Sequence, residues 1–144
     1  MIRAPVSAVF AYLTEPETLH EWQASALYAR LETDRPVRVG SQFVETRKFL
    51  GHRLESTMEI VEHDPPRRFA LLVRDGPVAF AATHELSELA DGETRLEWVV
   101  EGEPRGFFGL ADSVVRRVAE REQRHYAETL KDILEARHPL TPRG

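Results

Sequence analysis

The chain has 144 residues, of which 42% are hydrophobic and 30% are charged, a balance typical of a globular domain and not of a disordered or fibrous protein. Its formal net charge of -5 would repel a phosphate backbone, which argues against nucleic acid as a partner. The chain has no cysteine, which excludes disulfides, thiolate catalysis and cysteine-ligated metal sites, and we expect a cytoplasmic protein. No segment approaches the roughly 20 consecutive apolar residues that span a bilayer, so no membrane span is expected.

Two short helices are predicted at the N-terminus. Pro5 sits where a first helical turn tolerates its missing N–H. The apolar residues that then recur at helical spacing are Val6, Val9, Phe10 and Leu13. Residues Thr14 to Glu17 have the spacing of a capping box, in which Thr14 caps a second helix and Glu17 reaches back. That second helix carries Trp22 on its apolar side.

From residue 27 to residue 101, apolar and polar side chains alternate, and turn signals divide the segment into strands. The predicted strands are 42–50, 53–62, 67–74, 78–88 and 93–101, preceded by one near 27–33. Connections this short join antiparallel neighbours, so the pattern predicts a meander.

Tight loops predict the register of this sheet, because a hairpin loop determines which residues stand opposite each other. The loops are Gly51-His52, Asp75-Gly76 and Ala90-Asp91-Gly92. The pairs that follow are Phe43 with Ile60, Lys48 with Glu55, Leu71 with Phe80, His84 with Trp98 and Leu86 with Leu96. One face then collects the apolar side chains Phe43, Phe49, Leu54, Met58, Ile60, Phe69, Leu71, Val73, Val78, Phe80, Ala82, Leu86, Leu96, Trp98 and Val100.

A long helix is predicted over residues 110 to 137, ending near Pro139. Its apolar stripe consists of Leu110, Val114, Val115, Val118, Ala119, Tyr126, Leu130, Ile133 and Leu134. The apolar face of the sheet is the natural cover for this stripe. The Phe107-Phe108 pair between Gly106 and Gly109 is either a gate over a pocket or a hydrophobic anchor that starts the helix.

These residues resemble the START-related superfamily of lipid-transfer proteins and polyketide cyclases (SRPBCC). The phrases that carry the resemblance are Ile2 to Val6 leading into Val9-Phe10, Glu15-Pro16-Glu17 through Glu21-Trp22-Gln23, Gly51 after a strand, Pro65 to Arg68, and Leu130-Lys131. The resemblance implies an α+β helix-grip fold, in which a curved antiparallel sheet wraps around a long C-terminal helix and two short helices lie near the N-terminus. We expect one such domain at residues 1–138, followed by a C-terminal tail at 139–144. Relatives usually carry several more residues of a first strand before Ile2.

Relatives with this fold enclose a cavity, and such cavities are mostly apolar with a few placed polar groups. The predicted ligand-binding residues are Phe43, Glu45, Arg47, Met58, Leu71, Phe80, His84, Trp98, Val118, Glu122 and Tyr126. Three of them, His84, Arg47 and Glu45, are also candidate catalytic residues.

The polar residues of this set allow two interpretations each. Glu45 and Arg47 share one side of a strand and form either an ion pair that orients a ligand or a solvated rim. His84 is either a general base or ligand donor, or a core histidine with its hydrogen bonds satisfied. Glu122 either contacts Tyr126 across one helical turn or lies in solvent at the edge of the stripe.

Three functions remain open at this stage. The first is binding of a small apolar or amphipathic molecule that is lipid-like or polyketide-like. The second is an enzyme resembling polyketide cyclases, aromatases and dehydratases. The third is a protein-interaction role like that of chaperone-activating relatives. No cofactor is expected, and no metal is expected because the six histidines show no two-histidine metal spacing; homodimer formation is left open.

Overall fold

The computed structural model describes residues 1–102 and 111–138. Its helices are α1 (Val6–Leu13), a short 3-10 helix (Pro16–Thr18), α2 (Leu19–Trp22) and α3 (Asp112–Arg137). Its strands are β1 (Ala26–Leu31), β2 (Gln42–Phe49), β3 (His52–Asp64), β4 (Arg68–Asp75), β5 (Phe80–Glu88) and β6 (Thr94–Gly102). The predicted helix-grip arrangement is confirmed: a six-stranded antiparallel sheet, two short N-terminal helices and a long C-terminal helix.

The strands lie in the sheet in chain order, from β1 to β6, and each is antiparallel to the next. The meander predicted from the short connections is therefore confirmed. The register of β5 and β6 is also as predicted, with His84 opposite Trp98 and Leu86 opposite Leu96. Gly92 has a φ of 76° in the turn between them, a conformation that glycine adopts without steric cost.

The predicted register of β2 and β3 is wrong by two residues. Phe43 faces Met58 and not Ile60, and Lys48 faces Arg53 and not Glu55. The reason is that the two-residue turn is Leu50-Gly51, with φ values of 49° and 80°, one position earlier than predicted. Positive φ at both central positions is typical of the tight turns that match strand twist.

The predicted register of β4 and β5 is wrong by two residues as well, since Leu71 faces Ala82 and not Phe80. After Leu72, β4 leaves β5 but continues to pair with β3 as far as Asp75, which widens the connection. Gly76 then passes so close to β3 that a Cβ atom there would lie 2.7 Å from Ser56 Oγ. Both shifts leave Phe43 and Leu71 on their predicted face, because the side-chain period of a strand is two.

The N-terminal segment is held against the last strand. Ile2 and Thr94 form an isolated antiparallel bridge, with N···O distances of 2.7 and 2.8 Å in the two directions. The predicted capping box is wrong: Thr14 ends α1, and its hydroxyl donates to the Phe10 carbonyl at 2.9 Å. A hydroxyl that satisfies one of the last carbonyls of α1 does not cap the following helix, and Glu17 is exposed.

The core lies between the concave face of the sheet, α1 and the C-terminal half of α3. The fully buried side chains include Ile60, Leu130, Leu134 and Val9. The predicted stripe of α3 is wrong at Val114, which is 44% exposed because it precedes Val115 on the solvent side of the first turn. Among the residues that the structure describes, no helix is both long and apolar enough to cross a bilayer.

Three sequence predictions lie outside the described residues. They are the start of the stripe at Leu110, the Phe107-Phe108 segment, and the tail at 139–144.

Candidate functional site: a cavity between the sheet and the C-terminal helix

A cavity of about 360 Å³ lies between the concave face of the sheet and the N-terminal half of α3. The sheet side consists of Phe43, Glu45, Arg47, Phe49, Leu54, Met58, Ile60, Phe69, Leu71, Phe80, Ala82, His84, Trp98, Val100 and Gly102. The α3 side consists of Val115, Arg116, Ala119, Glu120, Glu122, Gln123 and Tyr126. A small residue at 119 and polar residues at 120 and 122 do not reach the sheet as Leu130 and Leu134 do, so this half of the helix leaves a hollow.

Ten of the eleven residues predicted to bind a ligand lie on the wall of this cavity. The exception is Val118, which is half-buried and is not part of the described lining. At about 100° per residue, Val118 lies on the flank of α3 away from Arg116, Glu120 and Gln123, so apolar spacing alone placed it too centrally. Val118 therefore lies outside the described lining, and its role in ligand binding stays a prediction.

An ion pair lies at one end of the cavity. The Nε atom of Arg47 donates to Glu45 Oε1, and the Glu45 side chain is 5% exposed while that of Arg47 is 18% exposed. The structure thus shows the predicted ion pair and not a solvated rim. Burial disfavours the charged guanidinium, but the adjacent Glu45 carboxylate outweighs it, and the pKa of Arg47 is raised above its ordinary value.

The same guanidinium connects the sheet to α3 through a chain of hydrogen bonds. Nη2 of Arg47 donates to Gln23 Oε1 at 2.5 Å, and Nη1 donates to Ser25 Oγ at 3.4 Å. Ser25 shares a short hydrogen bond with the Tyr126 hydroxyl, which donates to Glu122 Oε2 at 2.9 Å. The predicted contact between Glu122 and Tyr126 across one helical turn is therefore present. Burial, opposed by the Ser25 hydrogen bond, raises the pKa of Tyr126, so this hydroxyl keeps its proton at neutral pH.

Gln23 and Ser25 are the two members of this network that the sequence did not indicate. They lie between α2 and β1, a segment with no periodicity, and a bulge between Ala26 and Tyr28 brings the segment beside Arg47. The backbone of Ser25 accepts a hydrogen bond from Lys48 at 2.8 Å, which holds it there. A pair of uncharged polar residues just before a strand was the only signal available.

An aromatic stack forms another wall of the cavity. The His84 ring lies 4.7 Å from the Phe69 ring and 5.5 Å from the Trp98 ring, with interplanar angles of 24° and 16°. Trp22 meets Trp98 edge-on at 5.5 Å. Burial lowers the pKa of His84 from 6.5 to about 4, opposed in part by a hydrogen bond with the Phe69 backbone. His84 is therefore neutral at pH 7, and its low pKa makes it a weak general base there.

Three polar atoms in this stack are buried without a hydrogen-bond partner among the described residues. They are Nε1 of Trp22, Nδ1 of His84 and Nε1 of Trp98. A buried polar group without a hydrogen-bond partner costs about 1–3 kcal/mol of desolvation free energy. The His84 ring thus has a hydrogen bond with the Phe69 backbone, whereas its Nδ1 atom has no partner among the described residues.

No group of three or more metal-ligating side chains occurs within residues 1–102 and 111–138. The polar residues of the cavity are instead two arginines, carboxylates, two amides, hydroxyls and the His84 ring, which can bind and orient a ligand or pass a proton.

One protein family and several solved structures are similar to this chain. Residues 1–135 match the model of a family described as "Polyketide cyclase / dehydrase and lipid transport". No curated protein matches the chain.

Solved structures share the fold at low sequence identity. A protein from Thermus thermophilus has a TM-score of 0.76 at 16% identity, with 94% of this chain and 93% of that chain covered. A START superfamily protein from Mycobacterium smegmatis has a TM-score of 0.74 at 11% identity, with coverage of 94% and 92%. The di-domain ARO/CYC protein StfQ from the steffimycin biosynthetic pathway has a TM-score of 0.71 at 16% identity, with coverage of 94% and 43%.

Proposed function

Since this chain belongs to the polyketide cyclase / dehydrase and lipid transport family, we propose that it binds one small, largely apolar molecule between the sheet and α3. The observation that carries the proposal is the cavity of about 360 Å³, which is lined mainly by aromatic and aliphatic side chains. Pockets for small molecules fall in the range of about 300–1,000 Å³ and have this composition. Apolar ligand surface buried there would contribute roughly 25 cal/mol per Å².

The polar residues of the wall would orient the ligand and not drive its binding. Glu45, Arg47 and Tyr126 lie at one end of the cavity, whereas Phe69 and Trp98 contribute to the stacked aromatic wall. A lipid-like or polyketide-like molecule with one polar end and one planar apolar end fits this arrangement.

The test uses the two tryptophans of the chain, Trp22 and Trp98, which both line the cavity. The neutral solvatochromic dye prodan absorbs tryptophan emission, so prodan held in the cavity shifts its own emission to the blue and receives energy from both rings. We expect saturable binding at one site per chain, with a dissociation constant in the micromolar range. Native mass spectrometry of the purified protein then asks whether an apolar molecule is retained.

A matched pair of variants locates the dye. Ala119→Phe places a large ring on the cavity wall, and Ala136→Phe places the same ring on an exposed position of α3 outside the lining. We expect Ala119→Phe to weaken prodan binding at least about tenfold, because it occupies ligand volume, and Ala136→Phe to leave it unchanged. Equal binding by both variants, or no energy transfer in the parent protein, would contradict the proposal.

A second candidate function is a polyketide cyclase-like enzyme that uses the same cavity. The observation that favours it is the chain of hydrogen bonds from Ser25 through Tyr126 to Glu122, which is a route for a proton, while Arg47 stays protonated and holds Ser25 in place. Turnover of a linear poly-β-keto thioester, followed by mass spectrometry of its cyclised products, tests this candidate. Loss of turnover in Tyr126→Phe with prodan binding intact would favour an enzyme, and no turnover by the parent protein would favour binding alone. A protein-interaction role has less support, because the interior is hollow.

A further inference from the structure

Within the described residues, the polar end of the cavity contains one half-buried cation, Arg47, and its charge is already paired with Glu45. Each nitrogen of the Arg47 guanidinium donates to an acceptor of the protein itself: Nε to Glu45, Nη2 to Gln23 and Nη1 to Ser25. A carboxylate that binds arginine in the usual two-bond geometry requires two of these N–H groups. These contacts use three of the five N–H groups, and the buried Glu45 carboxylate balances the positive charge, so a ligand carboxylate would meet an ion pair and not a free cation.

Carboxylate oxygens provide spare acceptor capacity at this end. An ionised carboxylate offers about four acceptor positions. Across the part of the chain that the structure describes, the Glu45 carboxylate accepts one hydrogen bond, from Arg47, and the Glu122 carboxylate accepts one, from Tyr126. The Tyr126 hydroxyl uses its single proton for Glu122. The Glu45 and Glu122 carboxylates therefore both have acceptor positions left for a ligand that donates a hydrogen bond.

The charged side chains of the cavity wall also disfavour an anionic ligand. The charged residues of the described lining are Glu15, Glu45, Arg47, Arg116, Glu120 and Glu122, four acids against two bases. Arg116 and Glu120 are both exposed on α3, and Glu15 is paired with Arg35 as Glu45 is with Arg47. The half-buried Glu122 is then the acid of the wall that has no ion pair within the described residues. His84 adds no positive charge, since the imidazole is neutral at pH 7. Like charges brought together in a desolvated site cost several kcal/mol, so this wall opposes an anion.

We propose that the cavity selects a ligand whose polar end is an uncharged hydroxyl, alcohol or phenol, that donates a hydrogen bond to Glu122 or Glu45, and that it rejects a ligand ending in a carboxylate. This inference rests on the proposed binding function and states which polar group the same cavity accepts. The inference predicts a higher affinity for phenolic and hydroxylated ligands than for free fatty acids and other carboxylates of equal size.

The experiment compares three naphthalenes of nearly equal size by isothermal titration calorimetry at pH 7. They are 2-naphthol, which donates a hydrogen bond, 2-methoxynaphthalene, which does not, and 2-naphthoate, which is an anion. We expect 2-naphthol to bind at least about tenfold more tightly than 2-naphthoate, with 2-methoxynaphthalene between them. A 2-naphthoate affinity equal to or above that of 2-naphthol would overturn the inference, as would a 2-methoxynaphthalene affinity above that of 2-naphthol.

Two cavity variants and one control variant test whether the polar end causes the preference for 2-naphthol. Glu122→Gln removes one negative charge without changing shape, and we expect it to narrow the preference for 2-naphthol over 2-naphthoate by about threefold or more. Glu128→Gln makes the same change at an exposed position of α3 outside the lining and should leave the preference unchanged. Glu45→Gln releases the Arg47 guanidinium, so we expect the preference to reverse towards 2-naphthoate. An unchanged preference in both cavity variants, once thermal melting shows that they are folded, would overturn the inference.

The prodan titration separates the two proposals. If prodan binds and the naphthalenes show no preference or the opposite one, the inference fails and the binding function stands. If neither prodan nor any naphthalene binds, both fail.

Discussion

The two halves of α3 meet the same sheet in different ways. In the C-terminal half, Leu130 and Leu134 are 0% exposed and complete the core. In the described N-terminal half, only Val115 is fully buried, and the helix is held to the rest of the protein through Tyr126 and Glu122 at the end of the hydrogen-bond network. One half is held by close packing, and the other by the small apolar cluster of Val115 with Leu54 and by polar contacts beside a hollow.

The C-terminal half of α3 therefore contributes mainly to stability, whereas the N-terminal half forms the wall of the proposed binding cavity. The packed C-terminal half of α3 can offset the loss of stability that the adjacent cavity causes, because most of the folding free energy arises from packing of the core. Substitutions in the half of α3 that lies over the cavity should therefore cost less stability than substitutions in the packed half. The following predictions test this division, from the largest expected effect to the smallest.

Leu130→Ala should destabilise the protein most. Removing a side chain with 0% exposure leaves a void in a packed region, so we expect the free energy of unfolding to fall by about 3–5 kcal/mol in urea titration. Val115→Ala is the comparison in the N-terminal half, where space already exists, and should cost only about 1–2 kcal/mol. Equal losses would show that the two halves pack alike.

Arg47→Met should be the next most damaging change, because it leaves the Glu45 carboxylate buried without its cation. We expect the free energy of unfolding to fall by about 3 kcal/mol. This value is at the lower end of the range for a broken buried ion pair, because the Arg47 side chain is 18% exposed. The double variant Arg47→Met, Glu45→Met should recover most of that loss. A double variant no more stable than Arg47→Met would contradict this account of the ion pair.

His84 should make stability depend on pH. Its pKa is about 4 in the folded protein, mainly through burial, against 6.5 in the unfolded chain, so between these values only the unfolded chain is protonated. The free energy of unfolding should therefore fall as the pH falls below about 6.5, by about 2 kcal/mol between pH 7 and pH 5. Urea titrations at pH 7, 6 and 5 measure this slope. His84→Phe should remove it, whereas His125→Gln, at an exposed position of α3, should retain it.

Tyr12→Phe should have the smallest effect. The Tyr12 hydroxyl donates to Glu21 Oε1 at 2.9 Å, and Arg137 at the end of α3 contacts the same carboxylate at 3.2 Å. Removal of one part-buried hydrogen bond should cost about 1 kcal/mol, since the ring still packs. The midpoint of urea unfolding measures it, and a loss as large as that of Leu130→Ala would mean that polar contacts and not packing hold this end.

The faces of the sheet could be predicted from the sequence, although two of the registers could not. Phe43 and Leu71 have partners two positions away from those predicted, yet both point into the cavity as expected. A two-residue error preserves the face, since strand side chains alternate with period two. The exact turn at Leu50-Gly51 depended on a leucine with positive φ, which no propensity favours.

The cavity wall could be predicted where it lies on regular elements and not elsewhere. Glu45 and His84 follow from strand alternation, whereas Gln23 and Ser25 lie in an irregular segment whose position depends on a bulge in β1. Thr14 shows the same limit: its hydroxyl had two possible backbone partners, and tertiary packing selected the carbonyl of Phe10. Local patterns predict which side of an element is buried, but not which polar partners meet across elements.

The order of the strands has a consequence for how the molecule is made. Because β1 to β6 pair in chain order, each hairpin can form as soon as its second strand leaves the ribosome, while α3 is synthesised last. Until then, the concave surface has no helix over it and exposes aromatic rings such as Phe69 and Trp98. A nascent chain stopped at residue 111 should therefore scatter light and bind a general chaperone more strongly than one that extends to residue 144.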